Sequence, residues 1–376
     1  MEDKKMLIIG GWDYPWNEGG VKGINFYENG AQVKKLLPDC NVGTQVYDPI
    51  SKIDYICEET SGAAPFGKGT GGYIVAIRMT DGKVLSRVKT NGCNPTQCAF
   101  DADRKYLIVA HHNEPSIDSA EAKIGCPVNL YALNEDGSVG ALLDRIVIRE
   151  KKTQLHSIYA APSGKFFVIN DCGGDAVVTL KIEDEKLVVT GRLAVEQGYN
   201  PRYGVFHPTL PLYFGNNERV PEVSTYAYDD EGNFKKIANT SVIVGDEKAT
   251  NNGIIPASDI IMHPSGRYLY TALRKVDRIV TLSIDEEGDL KLIQSVDCGG
   301  EGTRGLTMDA EGKHIYICNH TSGEISIFNI LEDGTVENSG EVLDVENGAN
   351  ILILDGMSVE DWPKPFRPMV QKKSKK

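Results

Sequence analysis

No stretch of this 376-residue chain approaches the ~20 consecutive apolar residues that a membrane-crossing helix needs. Lys4 and Lys5 precede an apolar run at 6–9 that is too short for a signal-peptide core and leads straight into a patterned strand. A basic excess is also missing. Forty Lys and Arg stand against 53 Asp and Glu, a formal charge of −13, whereas a nucleic-acid partner calls for a basic surface. The small basic tail from about 365, with Lys372, Lys373, Lys375 and Lys376, reads as a solvated end. Eight cysteines lie scattered at 40, 57, 93, 98, 126, 172, 298 and 318 with no CxxC pair. That spacing predicts reduced thiols, neither a disulfide framework nor a zinc site. These absences predict a cytoplasmic protein with no membrane or nucleic-acid partner. They leave its oligomeric state unset.

Long helical periodicity is absent as well; the chain instead has a repeat. An apolar stretch, a tight turn and an alternating strand recur, as in His263-Pro264-Ser265-Gly266-Arg267-Tyr268 and Ala161-Pro162-Ser163-Gly164-Lys165-Phe166. The second residue of each phrase falls at 49, 102, 162, 208, 264 and 310, the period of a four-stranded propeller blade with loops of variable length. Asp-Gly turns such as Asp81-Gly82, Asp136-Gly137 and Asp333-Gly334 follow each third strand and mark a second hairpin. Six phrases give six blades. The runs at 6–11, 23–27 and 32–37 form strands two to four of a further blade, and 349–355 supplies its first strand. The expectation is an all-β fold: one domain over 1–376, a seven-bladed β-propeller whose composite blade joins both ends of the chain and removes the open sheet edges.

The turn phrase joins the first and second strands of a blade. The start of strand one and the end of strand two therefore meet at one mouth of the channel. Six residues before the second residue of the phrase stand Thr96, His156, Arg202, Ser258 and Arg304. Ten after it stand Glu59, His112, Cys172, Glu218, Arg274 and His320, and one position earlier Glu58, His111, Asp171, Asn217 and Asn319. Four of the chain's seven histidines and several arginines thus gather at one end. Guanidinium forks match carboxylate and phosphate, and a histidine near pKa 6.5 can move a proton, so the mouth predicts a site for a small anionic ligand. His111, His112 and Glu114 lack a second spaced ligand set, so no metal and no cofactor is expected. His207 and His263, beside the turns at the other face, are expected to be structural, and Cys172 a bystander.

At these residues the chain resembles the seven-bladed lactonase family, which includes propeller-type 6-phosphogluconolactonases and fungal carboxy-cis,cis-muconate cyclases. The resemblance spans nearly the whole chain. It rests on Asn94-Pro95, His156-Ser157, Asp171-Cys172-Gly173-Gly174-Asp175, Asn200-Pro201-Arg202-Tyr203-Gly204-Val205-Phe206-His207-Pro208, Asn217-Glu218, Arg274 with Asp277-Arg278-Ile279, and Thr303-Arg304-Gly305. It implies a lactone-hydrolysing carboxylic ester hydrolase of carbohydrate metabolism, with 6-phosphogluconolactone, a pentose phosphate intermediate, as first substrate. His156, Glu218, Arg202 and Arg274 would be catalytic, with either His156 or Glu218 as base. Arg304, His320, His112, Asp171 and Asn217 would bind substrate. The alternatives are a carboxymuconate-type lactonising cyclase and a non-catalytic binding or scaffold propeller. A calcium-dependent gluconolactonase-like propeller would need an acidic and amide ligand set where this chain has arginines. Two departures border the mouth: the loop 12–16, and Ala110-His111-His112 followed by an insertion at 113–127.

Overall fold

A computed structural model describes residues 5–13, 22–60, 72–113, 125–149, 152–244 and 254–363. The basic tail, positions 14–16 of the first loop and 114–124 of the insertion lie outside the described residues. Among the described residues, no helix is long and apolar enough to cross a membrane. Twenty-eight strands of the described residues, numbered in chain order, form seven four-stranded antiparallel sheets. The innermost strands are β4 (Val42–Asp48), β8 (Cys93–Phe100), β12 (Leu155–Ala160), β16 (Pro201–Phe206), β20 (Ala257–Met262), β24 (Thr303–Met308) and β28 (Gly348–Asp355). Each of the first six is followed by a second strand: β5 (Ile53–Glu58), β9 (Tyr106–Asn113), β13 (Phe167–Asp171), β17 (Leu212–Asn217), β21 (Tyr268–Leu273) and β25 (His314–Asn319). The composite blade has the order β28, β1 (Lys5–Gly11), β2 (Gly23–Glu28), β3 (Ala31–Leu36). Neighbouring inner strands touch all the way round, β28 against β4 included, so the ring is closed as the leftover strands predict.

Burial follows position in the blade. Second strands such as β17 are buried throughout, while the outer strand Phe234–Ser241 alternates half-buried and exposed residues. A second strand is covered on both faces by neighbouring blades, and an outer strand on one face only. Seven apolar clusters fill the seven interfaces between blades. Tyr55 and Tyr131 belong to the cluster between the β4 and β8 blades, and Phe214, Leu269 and Val280 to the one between the β16 and β20 blades. Truncating Phe214, which is fully buried, would cost about 3–5 kcal/mol.

The turn phrases lie at the face opposite the site. Gly266 and Gly312 take φ of 72° and 67°, the left-handed region that glycine enters without strain. Their carbonyls lie 3.0 and 3.1 Å from Nε2 of His207 and His263, in each case the histidine of the preceding blade. These two histidines therefore stitch neighbouring turns together, well away from the polar mouth.

Candidate active site

Every inner strand carries a β-bulge near its start. Leu155 pairs with Asp171 and Ser157 with Asn170, which leaves His156 as the extra residue. Arg202 and Tyr203 together stand opposite Asn216, Ser258 and Asp259 opposite Ala272, and Arg304 and Gly305 opposite Cys318. Thr96, Gly43 and Ala349 are the extra residues of β8, β4 and β28. A bulge breaks the in-and-out alternation of a strand and re-aims a side chain. This is how His156, Arg202, Asp259 and Arg304 come to line one cavity of about 1080 Å³ that follows the channel.

The second contribution comes from the end of each second strand, at the residue just past it in all but β9. Glu59, Glu218 and Arg274 extend the ladder by one more bond, their N–H groups donating to the carbonyls of Asn41, Asn200 and Pro256. Their side chains enter the cavity with those of His112 and Cys172. His320 occupies the equivalent position but sits behind Trp12, its Nε2 2.8 Å from the Trp12 carbonyl.

The residues one position earlier do not reach the cavity. Asp171 and Asn217, expected to bind substrate, are fully buried within their own blades. Asp171 accepts from Gln154 N, Gly174 N and Arg192 Nη1 at 2.9, 2.9 and 3.0 Å. Asn217 Nδ2 donates to the Glu222 carbonyl and Ser224 Oγ. Glu58 pairs with Arg87 at 2.6 Å, and Asn319 Nδ2 donates to Ser326 Oγ. Adjacent strand residues point to opposite faces, so one ring faces the channel and the other holds the blade together.

His156, Arg202, Glu218 and Arg274 come together from three consecutive blades. Arg274 Nη2 donates to Glu218 Oε1 at 2.8 Å and to the Ala257 carbonyl at 3.1 Å. Arg202 Nη1 donates to the Ser258 carbonyl, and its guanidinium lies 4.6 Å from the centre of the Tyr203 ring. Nε of each arginine is buried without a partner, as is His156 Nδ1. The His156 ring meets the edges of His112 and Tyr203 at centroid distances of 5.1 and 4.8 Å.

The charges set the protonation states. Burial alone would raise the Glu218 pKa, but Arg202, Arg274 and His156 outweigh it and hold the carboxyl well below the usual carboxylate range. Burial lowers the His156 pKa well below 6.5, with Arg202 and His112 adding to the effect against the pull of Glu218. Burial takes His112 down to about 4. Burial and then Arg202 lower Arg274 to about 10, so it stays charged at neutral pH. At pH 7 the group of Arg202, Arg274, Glu218, His156 and His112 therefore holds two guanidinium cations, one carboxylate and two neutral imidazoles.

Tyr203, Asp259 and Trp12 line the cavity but lie outside the expected binding set. Tyr203 and Asp259 are the second residues of their bulges. Asp259 Oδ2 accepts from Leu306 N at 3.0 Å, tying one inner strand to the next. Trp12 is the composite blade's counterpart of Glu59 and Glu218, one residue past strand two. That position was countable only in blades with a turn phrase to count from.

The sequence profile of the family described as lactonase, 7-bladed beta-propeller, matches residues 47–353. A 6-phosphogluconolactonase of Bacillus subtilis is 23% identical over 328 residues, covering 83% of this chain and 88% of the relative. A 6-phosphogluconolactonase of Klebsiella pneumoniae is 22% identical over 252 residues, 66% of this chain and 70% of the relative. Among solved structures, the periplasmic gluconolactonase of Pseudomonas aeruginosa superimposes with a TM-score of 0.77 at 17% identity, covering 93% of this chain and 99% of that one. At that identity the likeness is one of fold.

Proposed function

Because the chain belongs to the seven-bladed β-propeller lactonase family, we propose that it hydrolyses the ester bond of a small anionic sugar lactone, with 6-phosphogluconolactone the first candidate. The observation that carries this reading is the pair of buried guanidinium groups, Arg202 and Arg274, each with an unpartnered Nε and both acting on the Glu218 carboxylate beside His156. Unsatisfied buried donors lose the full cost of desolvation unless a ligand meets them, and an oxyanion, carboxylate or phosphate is the ligand they fit.

The arginines hold the substrate's anionic group and offset the charge that develops on the carbonyl oxygen as it becomes tetrahedral. The neutral His156 imidazole takes a proton from the attacking water. The C–O bond of the ring then breaks, and the imidazolium returns a proton to the departing alkoxide. Glu218 is not free to act as the base, because both its oxygens are engaged. Its part is to hold Arg274. His112 packs the His156 ring edge-on, while Trp12 and Arg304 form the opposite wall of the cavity.

The expected test result is turnover of 6-phosphogluconolactone above the spontaneous rate, in chelator, by the purified protein. His156→Ala should lose that excess. Equal rates in wild type and variant would overturn the assignment, and turnover of a carboxymuconate instead would make the enzyme a cyclase. We place the reaction in the cytoplasm, supported by buried free thiols at Cys40, Cys57, Cys98, Cys172, Cys298 and Cys318, which a reducing compartment preserves. Cell fractionation tests this against the periplasmic location of the Pseudomonas relative.

A further inference from the structure

Guanidinium and carboxylate groups meet most favourably through two parallel N–H···O bonds. Glu218 and Arg274 make only one. Arg274 Nη2 serves both Glu218 Oε1 and the Ala257 carbonyl, and Nε is left buried with no partner. The second carboxylate oxygen is engaged elsewhere: Glu218 Oε2 accepts from the Cys172 thiol at 3.1 Å. Cys172 is itself fixed. Its carbonyl accepts from Asn200 Nδ2 at 2.7 Å, and the Asn200 carbonyl accepts in turn from Glu218 N at 2.8 Å. Thiol and carboxylate thus hang from one asparagine. Asn200 N is pinned by Asp175 Oδ1 at 2.8 Å. Burial, then the Glu218 charge, push the thiol pKa well above its usual value, so the sulfur keeps the proton it donates.

We propose that Cys172 is a positioning residue: by holding Glu218 Oε2, its thiol prevents the carboxylate from closing on Arg274 at two points and keeps that guanidinium open to an anionic ligand. Without the thiol, the Glu218 carboxylate is free to turn about its broad terminal torsion. It then takes a second N–H of Arg274, and the incoming anion must compete with it. The inference rests on the reading that Arg274 receives the substrate's anionic group.

Calorimetric titration with inorganic phosphate and with 6-phosphogluconate tests it, alongside lactone kinetics and a melting curve for each variant. Cys172→Ala is expected to weaken both anions and raise KM about tenfold, with kcat changed less than about threefold, the worth of one charge-assisted bond. Cys172→Ser retains a donor and is expected to recover affinity to within about threefold of wild type. Cys172→Val fills the space without a donor and should match the alanine variant, which keeps the comparison if alanine melts early. Wild-type affinity in a folded alanine or valine variant overturns the proposal. So does a serine variant as weak as alanine, or a wild type that binds neither anion. A wild type that binds both anions but turns over no lactone sinks the lactonase reading, and the role of Cys172 is then decided by the binding data alone.

Discussion

The Arg304 guanidinium lies 3.7 Å from the centre of the Trp12 ring, and the same indole donates from Nε1 to Glu59 Oε2 at 2.6 Å. Trp12 belongs to the composite blade, and Arg304 and Glu59 belong to the blades on either side of it. One side chain therefore couples three blades at the wall facing His156. Trp12→Phe keeps the stack and removes the donor, leaving the desolvated Glu59 carboxyl with a partner fewer. Stability should fall by about 1–2 kcal/mol in urea. Trp12→Ala also loses the packing of a side chain only 5% exposed and should cost about 3–5 kcal/mol.

Arg202 is nearly fully buried, tied to the Ser258 carbonyl and stacked on Tyr203. Lysine offers a single point charge and no planar fork. Arg202→Lys should lower kcat/KM by about 10- to 100-fold, the loss of one to two charge-assisted bonds. A melting temperature close to wild type would show that the loss lies in recognition.

Asp54 is wholly buried in β5, with neither carboxylate oxygen hydrogen-bonded, and burial lifts its pKa to about 7. The native state therefore holds a proton that the unfolded chain releases near its ordinary 3.8. The stabilisation is complete below that value and is lost as pH rises through about 7. Asp54→Asn mimics the neutral form. It should add about 4 kcal/mol at pH 8 and little at pH 4, read as denaturant midpoints at the two pH values.

The histidines work in the opposite direction. Burial lowers His111 to about 3, His112 to about 4 and His156 well below 6.5. The unfolded chain takes up protons at all three near pH 6.5, while the native chain resists. Stability is therefore full above that pH and falls below it, by up to about 1.4 kcal/mol per pH unit for each histidine. Measured in the Asp54→Asn background, unfolding free energies at pH 7.5, 6.5 and 5.5 should drop steeply over the last interval. A flat profile would mean the imidazoles are solvated.

Asp171 separates stability from binding. Asp171→Ala strands two backbone donors and Arg192, and should cost about 2–4 kcal/mol. Its side chain does not reach the cavity, so KM should stay at the wild-type value in the protein that remains folded.

The blades were legible because one hairpin phrase recurs six times, and the seventh because the strands left over at 6–11 and 349–355 complete each other. The site was legible only to within one residue. Counting from the turn phrase reaches both Asp171 and Cys172, and both Asn217 and Glu218, but nothing in the count says which side chain faces the channel. Alternation decides that at the end of strand two, and a bulge decides it on strand one, where the extra residue has no mark in the sequence beyond an unusual polar residue such as His156 or Arg202. Tyr203 and Asp259 stayed hidden for the same reason. Cys172, read as a bystander, touches Glu218 because the site is assembled from separate blades, and sequence spacing carries no distance between them.

The composite blade also has a consequence for the order of events during synthesis. Domains fold as units as the chain emerges from the ribosome, yet the innermost strand of this blade, β28, is made after every other described strand. Until it docks between β24 and β4, six finished blades form an open arc, with β1 exposed along the edge that β28 will cover. Bare strand edges are templates for mispairing with other chains. Closure thus comes last among the described strands, and the nascent arc is the species a chaperone would need to shield.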